Sequence, residues 1–500
     1  MKTVIAAQAR LALHNAAKRK CRAPSWRGVR WSSSESKQWS TPLAKQLSEA
    51  ITATGPVPLA SFMRMCLTSD VGGYYTSSLE GRDQFGTKGD FITSPEISQI
   101  FGELIGVWFV AQWMAQGKKK EGIEFIEIGP GRGTLMDDIL RTIRNFEPMG
   151  LKVDNVYMVE ASASLRDAQK KLLCGDAEMK EIDIGHESTS KYSAIPVVWT
   201  DNIRFIPSGQ YKSPFIVAHE FFDALPIHAF QSIPPPPQEP VPDAIQTPTG
   251  THTLAPNAPK SKSKQPTGPQ WRELVVSPTP PPASPTDKKE EFQLTLSKQA
   301  TPHSMYLPVL SSRYKSLLQT PGNIIEISPE SQAYASAIAT RIGGSSQDPK
   351  ATPSGAALIL DYGTADTVPI NSLRGIKEHK RVSPFEAPGL VDLSADVDFI
   401  ALAEAALKAS PGIEVHGPVE QGAFLEVMGI KERAEMLVKS IEKSAAQQGS
   451  EKLEEMKKGI DGAWRRLVDR SPVGMGKVYK VMAITPENRG KKIVGFGGDV

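Results

Sequence analysis

The stretch Glu127-Ile-Gly-Pro-Gly-Arg-Gly-Thr-Leu135 decides the expected fold. It overlaps the end of the apolar run Ile123–Ile128, which predicts a buried strand, and the start of Thr134–Arg144, which predicts a helix. Glycines between a strand and a helix allow a tight turn and a close approach of the backbone to a ligand. The pattern therefore predicts a βα unit with a ligand near the free N–H groups that begin its helix.

The composition of this loop distinguishes between classes of ligand. Its residues are Gly129, Pro130, Gly131, Gly133 and Thr134. A dinucleotide-binding loop would have the spacing G-x-G-x-x-G, but here threonine occupies the sixth position. The acid Glu127 precedes the first glycine by two residues, and its carboxylate would repel a phosphate but attract a sulfonium or ammonium ion. The loop therefore favours a cationic nucleoside ligand over a pyrophosphate.

The residues after the loop continue the alternation of strands and helices. Strands are predicted at Val156–Glu160, Val197–Trp199 and Phe215–Glu220, with a helix at Leu165–Leu173. Strands that alternate with helices form βαβ units, in which consecutive strands are parallel. The chain is therefore expected to have an α/β fold with a mostly parallel sheet.

Polar residues stand at the ends of two of these strands. Glu160, 31 residues after Gly129, could accept hydrogen bonds from both hydroxyls of a ribose. Asp201 and Asn202 follow the next strand and could meet an adenine amine. Ligands bind outside the carboxyl ends of strands in open α/β sheets, so these residues are candidates for cofactor binding. The alternative is a tight βα turn with incidental surface acids.

The fourth strand leads into the candidate catalytic residues His219, Glu220 and Asp223. In methyl transfer to arginine, the donor sulfonium and the acceptor guanidinium are both cations, so carboxylates are needed to hold the guanidinium. Glu220 is the first candidate for this role and Asp223 the second. His219 could orient Glu220 or take the released proton, or it could be a core histidine without a catalytic role.

The remaining composition excludes several classes of protein. Cys21, Cys66 and Cys174 lie far apart without a C-x-x-C motif, which excludes a disulfide framework and a cysteine-based zinc ribbon. We find no group of ligands at metal spacing, and no metal is expected. No run reaches the roughly 18 apolar residues that a membrane span needs.

The basic residues are concentrated at the amino end. Residues 1–31 contain eight Lys and Arg and no Asp or Glu, so the rest of the chain has a net charge of −5 although the whole has +3. An Arg-rich, acid-free start followed by Ser32–Ser34 predicts a disordered mitochondrial transit peptide over residues 1–40, and a basic tail without a targeting role is the alternative. The slightly acidic body argues against a nucleic-acid partner.

The chain is expected to have several segments. Helices are predicted over residues 41–118, where Ser94 is expected to cap a long helix with Pro95 as its first residue and one apolar face from Ile97 to Ala111. The other segments are the cofactor-binding half of the α/β domain at 119–232, Pro-rich insertions at 233–290 around a strand at 271–276, the remainder of that domain and the substrate region at 291–485, and a flexible tail at 486–500. Residues 234–285 hold 16 of the 40 prolines, which is typical of low-complexity sequence.

In the later segment, Phe292–Leu296 is expected to pair with the strand at 271–276, and Ala356–Asp361 to be a buried strand. A helix is expected over Ser394–Ala406.

Several motifs together resemble the MidA-like mitochondrial methyltransferases, a family of arginine methyltransferases that serve in the assembly of respiratory complex I. The matching stretches are Gly72-Gly-Tyr-Tyr, Gly89–Ser98, Phe101-Gly-Glu-Leu, Glu127–Leu135, Ala218–Pro226, Trp271-Arg-Glu, Asp361-Tyr-Gly, Arg374-Gly and Pro388–Phe399. They extend over most of residues 41–485. Their combination is specific, whereas the glycine loop alone is not.

The resemblance implies a class I, Rossmann-like methyltransferase fold that uses S-adenosyl-L-methionine. It also implies symmetric dimethylation of an arginine on an unassembled core iron–sulfur-protein subunit of complex I, in the mitochondrial matrix. The segment that contains Asp90, Thr93, Ser94 and Glu96 is implied to lie near the cofactor.

Three other functions remain open from the sequence. The first is a scaffold or chaperone that binds complex I intermediates through the methyltransferase fold. The second is a methyltransferase that acts on a small molecule. The third, a nicotinamide-dependent oxidoreductase, is disfavoured by Thr134 and Glu127.

Overall fold

The computed structural model describes residues 39–76, 92–150, 152–235, 244–248, 250–253, 268–280, 290–444 and 450–497. The expectations that fall wholly or partly outside these residues are the leader at 1–40, the helical segment at 41–118, the site residue Asp90, the Pro-rich insertions at 233–290 and the tail at 486–500. No helix within the described ranges is both long enough and apolar enough to cross a bilayer.

Helices dominate the segment before the glycine loop. Its elements are α1 (Pro42–Thr54), β1 (Val57–Pro58), α2 (Leu59–Thr68), α3 (Ser94–Ile97) and α4 (Gln99–Ala115). The sequence predicts a single apolar face for the long helix, whereas buried residues occur on several of its faces. Trp108, Phe109 and Val110 are consecutive in α4 and all buried, because the helix has neighbours on several sides.

The predicted start of this helix is wrong in detail. Thr93, not Ser94, is the cap residue: its backbone is extended, and its N–H donates to the Glu96 carboxylate at 3.2 Å. Pro95 is the second helical residue, and the helix is interrupted after one turn. Ser98 then caps α4, its hydroxyl oxygen accepting a hydrogen bond from the Ile100 N–H at 3.3 Å.

The next segment contains the predicted βα units. Its elements are β2 (Ile123–Ile128), α5 (Thr134–Ile143), α6 (Glu147–Gly150), β3 (Val153–Val159), α7 (Ala163–Cys174), β4 (Lys180–Ile182), β5 (Gly185–Thr189), β6 (Pro196–Thr200) and β7 (Ser213–His219). All four predicted strands are present. The antiparallel hairpin of β4 and β5 was not predicted, and it extends the sheet beyond β6.

A second, antiparallel sheet follows. The elements in this segment are β8 (His228–Ile233), β9 (Ala244–Thr247), β10 (Gly250–Thr253), β11 (Gln270–Pro278), β12 (Phe292–Leu296), α8 (Pro302–Tyr306), α9 (Ser312–Leu317) and β13 (Ile324–Ile327). The order in the second sheet is β1-β11-β8-β13, with β12 also paired to β11. The predicted pairing of residues 271–276 with 292–296 is confirmed. A short hairpin of β9 and β10, which pair with each other, lies in the Pro-rich segment and was not predicted.

The remaining elements complete the central sheet. They are α10 (Pro329–Gly343), β14 (Ala356–Thr364), β15 (Arg374–Lys377), β16 (Lys380–Val382), β17 (Asp392–Ser394), β18 (Val397–Asp398), α11 (Phe399–Ala409), β19 (Ile413–Glu420), α12 (Gln421–Val427), α13 (Ile430–Ser444), α14 (Ser450–Val468) and β20 (Tyr479–Pro486). The helix predicted to begin at Ser394 begins at Phe399 instead. Ser394 belongs to β17, where it pairs with Arg374 of β15. The Asp398 carboxylate caps α11 by accepting a hydrogen bond from the Ala401 N–H at 3.0 Å.

Within the described residues, ten strands form the central sheet in the order β19-β20-β14-β7-β2-β3-β6-β5-β4, with β18 beside the end of β14. The five central strands, from β14 to β6, are parallel, and the strands at both edges are antiparallel. Every residue of β2 is buried, as expected for a strand covered on both faces. This α/β fold agrees with the expected class I methyltransferase architecture.

Candidate active site

A cavity of about 590 Å³ lies at the carboxyl ends of the parallel strands. The glycine loop after β2, Glu160 after β3, and the turn after β7 all contribute to its wall. The carboxyl ends of parallel strands are where ligands bind in open α/β sheets. Most of the predicted cofactor and catalytic residues, with the exceptions of Asp90, Ser94 and Gly133, are therefore placed at one cavity, at two ends that we call the loop end and the turn end.

The glycine loop has a backbone shape that side chains would prevent. Gly131 has φ of +52°, in the left-handed region that β-branched residues avoid. A Cβ on Gly129 would lie 2.7 Å from Cδ2 of Phe221, which belongs to the turn after β7. The loop thus packs directly on that turn. Gly133 precedes the first residue of α5, so the amino end of the helix faces the loop.

Two buried carboxyl groups flank this loop. Burial raises the pKa of Glu127 well above its usual value, and its Oε2 has no hydrogen-bond partner among the described residues. Burial also raises the pKa of Glu160 to about 7. Each carboxylate oxygen has two lone pairs, so both groups retain acceptor capacity toward the cavity. These features fit a ligand that brings hydroxyl donors and positive charge, as S-adenosylmethionine does.

Gln169 in α7 organises the loop end and was missed from the sequence. Its Nε2 donates to the carbonyl of Gly131 at 2.6 Å and to Oε2 of Glu160 at 3.2 Å, while its Oε1 accepts from the Trp199 indole at 2.9 Å. The side chain is fully buried. In the sequence, Gln169 looks like any polar residue of a helix, and nothing shows that it faces inward. No sequence pattern therefore indicated its role.

The other cofactor candidates occupy the rim. Asp201 and Asn202 line the cavity, but Asp201 is two-thirds exposed and pairs with Arg166 at 2.9 Å. The Asn202 side chain accepts from the Arg204 N–H at 3.0 Å and caps a 3-10 turn. Both residues therefore have a structural partner in addition to any ligand.

The helical segment before α4 closes one side of the cavity. Of the predicted residues in this segment, Thr93 and Glu96 line the cavity, as do Pro130 and Thr134 of the glycine loop. Glu96 lies 3.8 Å from Arg132 of the loop, which links the two segments. Ser94 is fully buried and is not part of the lining.

The turn end of the cavity is centred on Glu220. This residue has φ of +50°, a left-handed backbone conformation that is uncommon for residues other than glycine. It directly follows β7 and begins the turn there. Its Oε1 accepts a hydrogen bond from the Tyr479 hydroxyl at 2.8 Å, and that hydroxyl is 2.5 Å from the hydroxyl of Tyr362. Burial raises the pKa of Glu220 to about 8, and the nearby charge of Asp223 adds to the shift. Tyr362 and Tyr479 were not predicted.

The backbone of this turn is held by Asp361 at the centre of β14. Its Oδ2 accepts hydrogen bonds from the N–H groups of three consecutive residues, Phe221, Phe222 and Asp223, at 3.1, 2.8 and 3.3 Å. The motif Asp361-Tyr-Gly is therefore a support for the turn. Asp223 is also buried, which raises its pKa, and its Oδ2 accepts from the Ser394 hydroxyl at 2.9 Å.

His219 is a neutral residue behind Glu220. Burial lowers the pKa of His219 to about 3, and its ring makes an edge contact with Phe101 at 5.2 Å between centroids. Its Nε2 is 3.5 Å from Oε1 of Glu220, too far for a normal hydrogen bond. The environment of His219 therefore favours an uncharged ring packed against Glu220 over a base that takes a proton at neutral pH.

Comparison with known proteins identifies the family. The family model described as "Putative S-adenosyl-L-methionine-dependent methyltransferase" matches residues 104–419. The human protein named protein arginine methyltransferase NDUFAF7, mitochondrial, is 33% identical over 474 residues, which cover 93% of this chain and 88% of that protein. The Drosophila melanogaster protein named protein arginine methyltransferase NDUFAF7 homolog, mitochondrial, is 32% identical over 450 residues, which cover 89% of this chain and 85% of that protein.

A solved structure supports the fold independently. A crystal structure from Burkholderia thailandensis, in which the protein is bound to S-adenosyl-homocysteine, has a TM-score of 0.60 at 21% identity and covers 91% of this chain and 92% of that one. The family match extends over most of the chain and includes the glycine loop and the turn that carries Glu220 and Asp223. The chain therefore belongs to the family of S-adenosyl-L-methionine-dependent methyltransferases that its motifs resemble, and its cofactor is S-adenosyl-L-methionine.

Proposed function

We propose that this methyltransferase acts on an arginine side chain of a protein. The finer proposal is symmetric dimethylation of an arginine on an unassembled core subunit of respiratory complex I, in the mitochondrial matrix. The names of the human and Drosophila relatives support an arginine acceptor and a mitochondrial location. The motif resemblance described above supports complex I as the pathway.

The observation that carries the arginine acceptor is the pair of buried carboxyl groups Glu220 and Asp223 at the turn end. Both have raised pKa values, because burial disfavours their charged forms. A guanidinium group bound between them would offset that cost by charge and by hydrogen bonds. A neutral small-molecule acceptor would bring no positive charge to offset their ionised forms.

The cofactor site is proposed to be the loop end. S-adenosylmethionine, when bound, supplies an electrophilic methyl group on a positively charged sulfur. Glu160 is proposed to accept hydrogen bonds from hydroxyl groups of the ligand, and Glu127 to contribute negative charge beneath the loop. Gly129, Gly131 and Gly133 keep the loop free of side chains, so the backbone can approach the ligand closely.

Glu220 is proposed to have two roles. Its carboxylate accepts hydrogen bonds from the guanidinium and so orients the reacting nitrogen, with Asp223 on the same side. A nitrogen that gains a methyl group must also lose a proton, and Glu220, with a pKa of about 8, is a better acceptor for it than His219, with a pKa of about 3. From the sequence, His219 was a candidate for taking the released proton. We propose that Glu220 takes it instead.

A labelling experiment tests the acceptor class and the product. The full chain is incubated with methyl-labelled S-adenosylmethionine and newly synthesised, unassembled complex I core subunits, and acid hydrolysis identifies the labelled amino acid. We expect label in symmetric dimethylarginine on one subunit. Asymmetric dimethylarginine would refute the symmetric product alone.

Two other results would redirect the assignment. Label only in the small-molecule fraction would favour a metabolite acceptor. No label, with cofactor binding intact by calorimetry, would favour the scaffold function. Residues 1–40 fused to a fluorescent protein test the compartment: matrix fluorescence is expected, and cytosolic fluorescence would contradict it.

A further inference from the structure

A cluster of potential metal ligands lies in the second sheet, outside the cavity. Among the described residues, one group of three such side chains has its ligand atoms within 4.8 Å of one another: His228, Glu273 and His303. They come from three elements: His228 begins β8, Glu273 lies in β11, and His303 lies in α8. The methyltransferase mechanism uses none of them.

One of the distances between these atoms is close to that in a metal site, and the other is the length of a hydrogen bond. Oε1 of Glu273 is 2.8 Å from Nδ1 of His228 and 3.5 Å from Nδ1 of His303. Ligands bound at about 2.0–2.1 Å to a tetrahedral zinc ion lie about 3.4 Å apart. The two imidazole rings are 4.2 Å apart between centroids, and the Nδ1 atom of each lies within 3.5 Å of the same carboxylate oxygen.

Burial and hydrogen bonding fix one side of the cluster and leave the other open. The Glu273 side chain is fully buried, and its Oε2 accepts a hydrogen bond from the Thr301 hydroxyl at 2.5 Å. Such a partner orients a carboxylate ligand. His228 is also buried, whereas the His303 side chain is 46% exposed, which provides a path for an ion and room for a water ligand.

We propose that His228, Glu273 and His303 bind a divalent first-row transition ion, with Zn²⁺ as the expected metal. Two imidazoles and one carboxylate are a donor set that suits zinc, with a water as the fourth ligand. A hydrogen bond between His228 and Glu273 alone does not account for the second imidazole on the same oxygen. A divalent cation between the three side chains accounts for all of them.

The bound ion would connect parts of the chain that come from either side of the Pro-rich segment. It would join β8 to β11 and to α8, so its effect is on the stability of the second sheet. His228 begins the strand that follows the turn carrying Glu220 and Asp223. The ion is therefore a structural element close in sequence to the turn end of the cavity, independent of the methyl acceptor.

Zinc binding by the purified full chain tests the proposal. The protein is stripped with a chelator, dialysed and titrated with ZnCl₂ by calorimetry, and its melting temperature is measured with and without the ion. We expect one equivalent of Zn²⁺ per chain and an increase in melting temperature of several degrees. Replacement by Co²⁺ should give the visible absorption bands of a tetrahedral complex.

Two histidine variants give the decisive comparison. His303→Ala removes a half-exposed ligand, so the fold should persist, and we expect zinc affinity to fall by at least about tenfold because one of three protein ligands is lost. His416→Ala is the matched control, since His416 faces a single carboxylate, Glu414, at 3.6 Å. It should bind zinc as the unmodified chain does.

The same measurements can overturn the proposal. Absence of saturable zinc binding, or equal binding by His303→Ala, would show that the cluster is a hydrogen-bonded pair with an adjacent histidine. Loss of zinc binding in His416→Ala but not in His303→Ala would locate the site elsewhere. Cofactor binding, measured in parallel, reports whether each variant is folded.

Discussion

The two ends of the cavity both use buried carboxyl groups, but the chain holds them in different ways. Glu160 at the loop end accepts hydrogen bonds from the Ser162 N–H and from Gln169, which are two and nine residues away. Glu220 at the turn end accepts from Tyr479, which is 259 residues away, on the antiparallel strand beside β14. The loop end is thus held by residues that are close in the sequence. The turn end is held by a residue that the pairing of β7, β14 and β20 brings next to Glu220.

This difference has a consequence for mutation. A change at the loop end should affect cofactor binding through the shape of a few consecutive residues. A change at the turn end should leave cofactor binding intact and affect turnover and its pH dependence. Four experiments separate the two ends.

The largest effect is expected from Gly131→Val. A β-branched residue does not tolerate φ of +52°, and its side chain would enter the loop, so binding of S-adenosylmethionine should fall below detection by calorimetry. Gly175→Val is the matched control: Gly175 has a similar φ of +58° at the end of α7, with open space around it. It should lower stability and retain cofactor binding. Equal loss in both variants would attribute the effect to backbone strain alone.

Glu220→Gln should give the next largest effect. It keeps the shape of the side chain but removes the charge that holds the guanidinium, so kcat should fall by about 10²–10³. Cofactor affinity should change little, because Ser162 and Gln169, and not the Glu220 side chain, hold Glu160 and the loop carbonyl of Gly131. Glu330→Gln is the control, since Glu330 lines the same cavity and is exposed. Turnover by Glu220→Gln at the rate of this control would remove Glu220 from the mechanism.

Tyr479→Phe should give a smaller effect with a diagnostic pH dependence. The Tyr479 hydroxyl donates to Glu220 and stabilises its ionised form, so removing it should raise the pKa of Glu220 further above about 8. The acid limb of kcat/KM should move to higher pH, and activity at pH 7 should fall about tenfold for each pH unit that the limb moves. Tyr334→Phe, elsewhere on the cavity wall, should leave the profile unchanged. An unchanged limb in Tyr479→Phe would mean that Glu220 is not the titrating group.

The smallest effect concerns stability. Because the pKa of Glu220 is higher in the folded protein than in the unfolded chain, the folded protein binds the proton more tightly. The stability from this group is complete below about pH 4.3 and is lost as pH rises toward about 8, by at most about 1.4 kcal/mol for each pH unit. Urea unfolding at pH 5 and pH 8 should show a smaller decrease for Glu220→Gln than for Glu330→Gln. Parallel slopes would contradict the raised pKa.

The same contrast explains what could be predicted from sequence. The βα units were predicted because a strand, a glycine loop and a helix are contiguous, and Glu127 and Glu160 could be located by counting from them. Tyr362 and Tyr479 are opposite each other only because β14 and β20 pair in a particular register. No local pattern carries that information.

The errors have local physical causes. Thr93 and Ser94 are both good cap residues, and the choice between them depended on the extended backbone at Thr93 and on the hydrogen bond from its N–H to Glu96. The strand β8 was missed because it follows the turn directly. In the second sheet only the pairing of β11 with β12 was predicted, because β1, β8 and β13 are far from β11 in the sequence.

The register of the second sheet would allow a folded domain to be inserted into either Pro-rich connection. Ile233 and Gln270 are paired neighbours, as are Pro278 and Phe292, so each Pro-rich connection leaves and re-enters the sheet at adjacent positions. The entropy of closing a loop grows only slowly with its length, and many folded domains have termini close together. A fluorescent reporter placed between residues 233 and 270 would therefore label the enzyme internally and leave both of its own ends unmodified.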